Sequence, residues 1–201
     1  MTCTYVDPAF VLGQETSRTK ETVIIAKQVP MTREEPIQAE TVSIQLRVNG
    51  HTHVVTVDPR FLLSDVLREQ LGLTGLHVGC EQGACGACTV LIDGQPTISC
   101  LTLAAEVGSA EVETVEYFSM RDGKLGELEA AFLRHGAFQC GFCTPGFLAV
   151  GHHILNQGLA NDRASIRANL SGNICRCTGY EPIIDAIAEV AEKNEKKVEG
   201  R

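Results

Sequence analysis

Three features are missing from this sequence, and each absence excludes a class of protein. No apolar run approaches the roughly 18 residues that suggest a transmembrane helix. Acidic residues outnumber lysine and arginine, 25 to 17, and there is no basic run, so a nucleic-acid-binding surface is not expected. The first residues contain neither the basic start and apolar core of a secretory signal nor a twin arginine. We therefore expect a cytoplasmic protein that has no transmembrane segment and binds no nucleic acid.

Cysteine, by contrast, is plentiful, because the chain has nine. Thiols in the cytoplasm stay reduced, so a cysteine-rich pattern there indicates metal binding rather than a disulfide framework. Eight of the nine cysteines form two groups of four, one between residues 80 and 100 and the other between residues 140 and 177. Cys3 stands apart, and we expect no ligand role for it.

The first group lies in and just beyond a glycine-rich loop, and its members are Cys80, Cys85, Cys88 and Cys100. The C-x4-C-x2-C spacing matches that of plant-type ferredoxins, which bind a 2Fe-2S cluster, and differs from the usual spacing of zinc sites. Four thiolates leave the oxidised cluster with a charge of about 2−. Backbone N–H groups must turn toward this anion, and Gly83 and Gly86 allow the positive φ angles that a tight loop requires.

The pattern around this group predicts a small mixed sheet. Alternating apolar residues, with turn signals at Asn49-Gly50 and Asp93-Gly94, indicate two hairpins followed by a fifth strand at residues 111–115. Between the hairpins, residues 64–71 have helical periodicity, with Ser64 as the predicted N-cap. Two hairpins with a helix and a cysteine loop between them suggest the β-grasp arrangement of plant-type ferredoxins.

Beyond a polar linker the chain becomes helical. Apolar periodicity and capping residues mark four helices, which begin near Glu127, Thr144, Asp162 and Glu181. Thr144 is the predicted N-cap of the second helix, with Pro145 in its first turn. Four helices joined by short connections predict a compact bundle.

These patterns together predict an α+β chain in five parts. Residues 1–40 are a weakly structured extension, 41–116 the β-grasp domain, 117–126 a linker, 127–195 the helical domain and 196–201 a charged tail. The large aromatic residues of the helical half are expected in its core, namely Phe132, Phe138, Phe142 and Phe147. His152 and His153 are neighbours on one helix and point about 100° apart, so we do not expect them to share a metal.

The second cysteine group has two parts, Cys140-x2-Cys143 and Cys175-x-Cys177. Each pair lies just before a predicted helix start, where unpaired N–H groups and the helix dipole stabilise an anion. One site of four thiolates between helices is therefore a reasonable inference. The spacing alone leaves a zinc site, a thioredoxin-like pair and an iron–sulfur cluster open.

The two motifs together resemble the signatures of the molybdenum hydroxylase (xanthine oxidase) family. The resemblance rests on three stretches, Gly79-Cys80-Glu-Gln-Gly-Ala-Cys85-Gly-Ala-Cys88, Gln139-Cys140-Gly-Phe-Cys143-Thr-Pro-Gly and Gly172-Asn-Ile-Cys175-Arg-Cys177-Thr-Gly-Tyr180. It covers about residues 41–195 and is similar to the separately encoded small iron–sulfur subunit of bacterial members. The long N-terminal extension departs from most cytoplasmic small subunits.

The resemblance implies two 2Fe-2S clusters and their ligands. The first cluster would be held by Cys80, Cys85, Cys88 and Cys100, nearer the flavin and solvent. The second would be held by Cys140, Cys143, Cys175 and Cys177, nearer the molybdenum cofactor. Gln139 matches the family glutamine that hydrogen-bonds the molybdopterin, a contact that an amide can make as donor and acceptor.

The resemblance also implies that this chain carries electrons and no bond chemistry. A large subunit would hold the molybdenum cofactor and a medium subunit FAD, in a heterotrimer or a dimer of heterotrimers. The substrate of the complex would be a nitrogen heteroaromatic, a purine, an aldehyde or carbon monoxide. The alternatives are a free-standing two-cluster electron carrier of the ferredoxin type and a zinc-stabilised adaptor.

Overall fold

The structure, a computed structural model, describes residues 40–121, 124–160 and 162–199. The described residues belong to one compact unit. The predicted extension, apart from residue 40, lies outside them, and so does Cys3.

A five-stranded mixed sheet forms the first half. Its strands are β1 (Val42–Val48), β2 (His51–Val57), β3 (Thr89–Ile92), β4 (Gln95–Ile98) and β5 (Glu111–Glu113). They lie in the order β2-β1-β5-β3-β4, with β1 and β5 parallel and the other neighbours antiparallel. Both predicted hairpins are present, and their turns have the positive φ angles of a tight connection: 53° and 79° at Asn49 and Gly50, 48° and 75° at Asp93 and Gly94.

The helix predicted at residues 64–71 is present but begins earlier. It comprises α1 (Leu63–Asp65) and a π-helical continuation, Val66–Gln70. The prediction of Ser64 as the N-cap is wrong, because Leu62 takes that place and makes no side-chain capping bond. Instead, the Leu63 N–H donates to the Thr102 carbonyl at 2.7 Å. A neighbouring loop therefore satisfies the first helical donor, and Ser64 is buried within the helix.

Helices dominate the second half. After α2 (Val115–Ser119) and the short strands β6 (Met120–Arg121) and β7 (Lys124–Leu125) come α3 (Glu127–His135), α4 (Thr144–Asn156), α5 (Arg163–Asn169) and α6 (Tyr180–Glu199). Asp162 is the N-cap of α5, as predicted, and its carboxylate accepts from the Ser165 N–H at 2.6 Å. No helix within the described ranges is both long and apolar enough to cross a bilayer.

The sheet and the helices pack directly against each other. Helix α4 lies against β3, and Leu91, Phe118 and Ala149 form a small buried cluster at their contact. The His153 ring is within hydrogen-bonding distance, 2.8 Å, of the Gly94 carbonyl in the second hairpin turn. The two cysteine-bearing halves are therefore one packed body between residues 40 and 199. The exact domain boundaries stay a prediction.

Candidate metal centres

The first cysteine group comes together at one end of the sheet. Cys80, Cys85 and Cys88 lie in the loop before β3, and Cys100 lies in the helical turn after β4. Cys88 and Cys100 are each 1% exposed and their thiols are hydrogen-bonding neighbours, as are those of Cys80 and Cys85. The chain thus presents four thiols around one volume, with two at its buried side and two nearer the surface.

The loop encloses this volume in the way its glycines predicted. Gly83 and Gly86 both have φ of +71°, which side chains adopt rarely. A Cβ at Gly83 would overlap Leu101 Cδ1, so a larger residue at this position requires the exposed leucine to move. Glu81 has φ of 53° and tightens the same turn. The loop is therefore held in a shape that alanine at Gly83 could not adopt without displacing Leu101.

Backbone N–H groups of the loop are directed at the sulfurs. The Gln82 N–H lies 3.4 Å from Cys80 Sγ, and this bond, with further N–H groups of Cys85 and Ala84, lowers the pKa of Cys80 to about 7. Burial instead raises the pKa of Cys100 to about 11, although the Gly83 N–H acts in the opposite direction. An inward-facing set of N–H donors is the environment that an anionic cluster needs.

The second group comes together between two helix starts. Cys140 and Cys143 precede α4, while Cys175 and Cys177 precede α6. The thiols meet across these segments, Cys140 with Cys177 and Cys143 with Cys175. Burial raises the pKa of Cys143 to about 12, whereas the Phe142 N–H lowers the pKa of the exposed Cys140 thiol. Two distant parts of the sequence therefore build one four-thiol group.

The second thiol group lies near the N-terminal ends of α4 and α6, but the predicted N-cap of α4 is not observed. Thr144 is the first residue of α4 and Cys143 occupies the N-cap position without a side-chain capping bond, so the prediction of Thr144 as the N-cap is wrong. Pro145 lies in the first turn as predicted. Ahead of α6, the Gly179 N–H donates to Cys175 Sγ at 3.3 Å. Cysteines thus lie at the start of α4 and shortly before the start of α6, where helix N–H groups favour an anion.

Two of the four phenylalanines predicted in the helical core are buried, and two are exposed. Phe132 and Phe147 are buried, at 2% and 0% exposure. Phe138 and Phe142 are 42% and 47% exposed, so the prediction of a core position is wrong for both. They flank the exposed Cys140, and Gln139 between them is exposed too. The Gln139 side chain makes no hydrogen bond to another described residue.

Two contacting residues were not singled out from the sequence. The ring of His77 lies 2.8 Å from the Phe142 carbonyl and stacks on the Phe142 ring, with a centroid distance of 4.9 Å. Asn173 is 5% exposed and donates to the Gly86 carbonyl. Asn173 stands two residues before Cys175. Its position inside the motif that begins at Gly172 was the one sequence feature that could have indicated its importance.

Among the described residues, the arrangement of the thiols fits an iron–sulfur cluster. Among residues 40–121, 124–160 and 162–199, no three His, Cys, Asp or Glu side chains converge on a point where they could hold one metal ion. The thiols instead meet in pairs, two pairs in each group, and N–H groups surround them. All eight are free of disulfides.

Comparison with known proteins decides the family. Residues 46–114 match the 2Fe-2S iron-sulfur cluster binding domain, and residues 114–188 match the [2Fe-2S] binding domain. The nicotine 6-hydroxylase small subunit of Paenarthrobacter nicotinovorans is 46% identical over 154 residues, which are 77% of this chain and 92% of that protein. This chain is a small iron–sulfur subunit of the molybdenum hydroxylase family.

Two further relatives support this assignment. The caffeine dehydrogenase subunit gamma of Pseudomonas sp. (strain CBB1) is 49% identical over 76% of this chain and 92% of that protein. A crystal structure of quinoline 2-oxidoreductase from Pseudomonas putida 86 contains a chain that is 51% identical, with a TM-score of 0.71, over 76% of this chain and 97% of that one.

Family membership confirms the predicted fold and the predicted cofactors. The predicted α+β fold, with a ferredoxin-like domain before a helical one, is confirmed. The iron–sulfur subunit carries two 2Fe-2S clusters, and the second family match spans the second cysteine group. The assignment of individual ligands and of Gln139 stays a prediction.

Proposed function

We propose that this iron–sulfur subunit passes single electrons from a molybdenum cofactor on a large subunit, through its two 2Fe-2S clusters, to FAD on a medium subunit. The clusters supply one-electron centres, which relay a two-electron oxidation one electron at a time. The observation that carries the proposal is the presence of two four-thiol groups, each within its own 2Fe-2S family match, in one packed body. The subunits of nicotine 6-hydroxylase and caffeine dehydrogenase named above support it.

We assign the ligands by the groups that the chain brings together. The first cluster is bound by Cys80, Cys85, Cys88 and Cys100, and the second by Cys140, Cys143, Cys175 and Cys177. The N–H groups around each set hold the anion, and burial and these hydrogen bonds set its reduction potential. We assign residues 41–116 and 127–195 to the two domains on the same grounds.

The face around Cys140 is the one that we assign to the large subunit. Cys140, Gln139 and Phe138 are exposed there. An apolar groove of about 460 Å³ opens beside them, and Phe138, Gly141 and Pro145 are among its lining residues. An exposed apolar groove next to a free amide suits a protein partner that presents a cofactor edge. Gln139 would hydrogen-bond the molybdopterin in this position.

The face around the first cluster is the one that we assign to the FAD subunit. Leu101 packs over Gly83 at the cluster loop and is 61% exposed. An exposed leucine over the first thiol group offers a contact for the FAD subunit, so electrons would leave there. The chain itself has no catalytic role in this arrangement, and the complex would be a heterotrimer or a dimer of heterotrimers. We propose a cytoplasmic location for the complex, as the sequence leads us to expect.

The substrate belongs to the large subunit. The three relatives described act, by their names, on nicotine, caffeine and quinoline. Relatives named aldehyde oxidoreductases are 39–43% identical, against 46–51% for those three. By identity we therefore rank a nitrogen heteroaromatic or a purine above an aldehyde or carbon monoxide for the complex of this chain.

Purification of the tagged chain from its own host tests the function. We expect a brown complex that contains a molybdenum subunit, a flavin subunit and four irons per copy of this chain, two for each 2Fe-2S domain. A brown chain that purifies alone with four irons would favour the free electron carrier. Zinc in place of iron, or no more than two irons, would refute the two-cluster account.

A further inference from the structure

Three segments that are far apart in the sequence meet at the carbonyl group of Gly86. This carbonyl belongs to the first cysteine loop, one residue after Cys85. It accepts from the Asn173 amide Nδ2 at 2.9 Å, across a sequence separation of 87 residues. Asn173 is 5% exposed. Only the amide nitrogen of asparagine can donate to a carbonyl, so the orientation of this side chain is chemically determined.

We call this meeting point of the three segments at the Gly86 carbonyl the joint. Helix α4 packs against it from another side. A Cβ at Gly146 would overlap the Gly86 carbonyl oxygen and come within 2.9 Å of Asn173 Nδ2. A Cβ at Gly86 would in turn lie 2.5 Å from the Gly172 carbonyl oxygen. Glycine at 86 and 146 thus allows the loop, the helix and the segment before Cys175 to approach each other at backbone distance.

This joint lies between the two thiol groups. The Ile174 N–H donates to the Cys85 carbonyl at 2.9 Å, beside the bond from Asn173 to Gly86. Cys85 belongs to the first group, and Cys175 follows Ile174 directly. The bond of the Asn173 side chain therefore ties a segment carrying one proposed ligand to a segment carrying another.

The first domain does not need Asn173 to keep its own loop in place. Within that domain, the Gly86 carbonyl also accepts from Thr89 Oγ1 at 2.7 Å and from the Thr89 N–H at 3.2 Å. Thr89 therefore keeps this carbonyl hydrogen-bonded when Asn173 is absent. Asn173 adds a side-chain bond from the helical domain to this carbonyl, next to the backbone bond from Ile174 to Cys85.

We propose that Asn173 is a positioning residue that sets the distance between the two clusters and thereby the rate of electron transfer between them. The proposal rests on the proposed function, because it requires both clusters to be present. Asn173 touches no cluster in this account. It acts by keeping the Cys85 segment and the Cys175 segment in register.

The test uses the whole complex and compares Asn173→Ala with Asn169→Ala. Asn169 is the matched control, because its amide donates at 2.9 Å to Ser165 within α5 and is exposed. Both variants should keep four irons per chain. In the fully reduced complex, magnetic interaction between the paramagnetic clusters splits their resonance lines. This splitting should fall in Asn173→Ala and stay at the wild-type value in Asn169→Ala, and inter-cluster electron transfer should slow several-fold in Asn173→Ala alone.

A second variant changes the same joint from α4. Gly146→Ala adds a Cβ where the Gly86 carbonyl stands, while alanine suits the helix itself. It should lower the splitting in the same direction. Unchanged splitting in both Asn173→Ala and Gly146→Ala would overturn the proposal. Loss of iron from both would also overturn it, since Asn173 would then build a cluster site rather than position it.

Failure of the proposed function has a different signature. It would appear in the wild-type protein, as missing irons or missing partner subunits, before any variant is made. An intact wild-type complex with unchanged splitting in both variants would refute the positioning role alone.

Discussion

Cys177 stands at the surface side of the second thiol group, in contact with the exposed Cys140 thiol. Its neighbour Cys175 is 7% exposed and is held by the Gly179 N–H. The four thiols of the first group lie on other elements, in the loop before β3 and after β4. We therefore expect each group to bind its cluster without the cysteines of the other group.

Replacement of Cys177 by serine should remove one cluster and leave the other. Iron–sulfur clusters select soft thiolate ligands, and a serine hydroxyl is a poor substitute. We expect two of the four irons to be lost, and turnover with an acceptor that draws electrons from FAD to stop. Iron analysis and the reduced-state paramagnetic signals measure this. Cys3→Ser is the control and should keep all four irons, whereas loss of both clusters in Cys177→Ser would contradict the independence of the two groups.

Replacement of Gln139 by alanine should leave both clusters in place and weaken the contact with the molybdenum cofactor. Gln139 is exposed next to Cys140, so truncation creates no cavity in this chain. We expect normal iron content with lower molybdenum occupancy or lower turnover of the complex. Gln157→Ala, an exposed glutamine at the end of α4, is the control. Turnover equal to that of the control would show that Gln139 has only a local structural role.

Local sequence patterns predicted contacts between near neighbours in the chain better than the tertiary surroundings of a side chain. Asp162 was correctly predicted as a cap because its carboxylate needs only the Ser165 N–H three residues on. Ser64 was wrongly predicted, since a loop distant in sequence supplies the Thr102 carbonyl to that helix start. Phe138 and Phe142 were wrongly placed in the core, because hydrophobicity does not reveal whether a residue faces its own chain or a partner.

At the scale of elements, the first cysteine loop depends on a hydrophobic neighbour as well as on its glycines. Leu101 fills the space where a Cβ of Gly83 would stand, and it lies in the helical turn that carries Cys100. Loop and turn are thus packed against each other, and together they bring Cys100 to the other three thiols.

Gly83→Ala should therefore lower the occupancy of the first cluster and leave the second unchanged. The added methyl group collides with Leu101, and φ of +71° disfavours alanine in addition. The double variant Gly83→Ala/Leu101→Ala removes the collision and should recover part of the first cluster, as measured by iron content and the first-cluster signal. Gly108→Ala is the control, because φ is +63° there and no atom lies within 4 Å of the new Cβ. It should cost roughly 1 kcal/mol of stability and no iron. Equal iron loss in both single variants would attribute the effect to backbone strain instead.

At the scale of the whole molecule, all eight grouped cysteines lie within one compact unit that begins near residue 40. The buried core of the sheet includes Cys88 and Cys100, and that of the helices includes Cys175. We therefore expect cluster binding and folding to be linked in each half, since proposed ligands are part of both cores.

A chain that begins at Glu40 should keep four irons and both paramagnetic signals. The reason is that every proposed ligand and every contact described between the two groups lies after this residue. Iron content and the signals of the truncated chain, compared with the full chain, measure this. Loss of either cluster would show that residues 1–39 contribute to a cluster site. Retained irons with weaker recovery of the partner subunits would instead assign the extension to assembly.

The sequence by itself determined the two cysteine groups, the hairpin turns, the order of sheet and helices, and the family. These are local properties, because cysteine spacing and turn residues act over a few neighbouring positions. The tertiary structure alone decided that Cys140 meets Cys177, that Phe142 faces outward, and that Asn173 bonds to Gly86. Such contacts join segments tens of residues apart, and only the packing of helices against the sheet brings those segments within hydrogen-bonding distance.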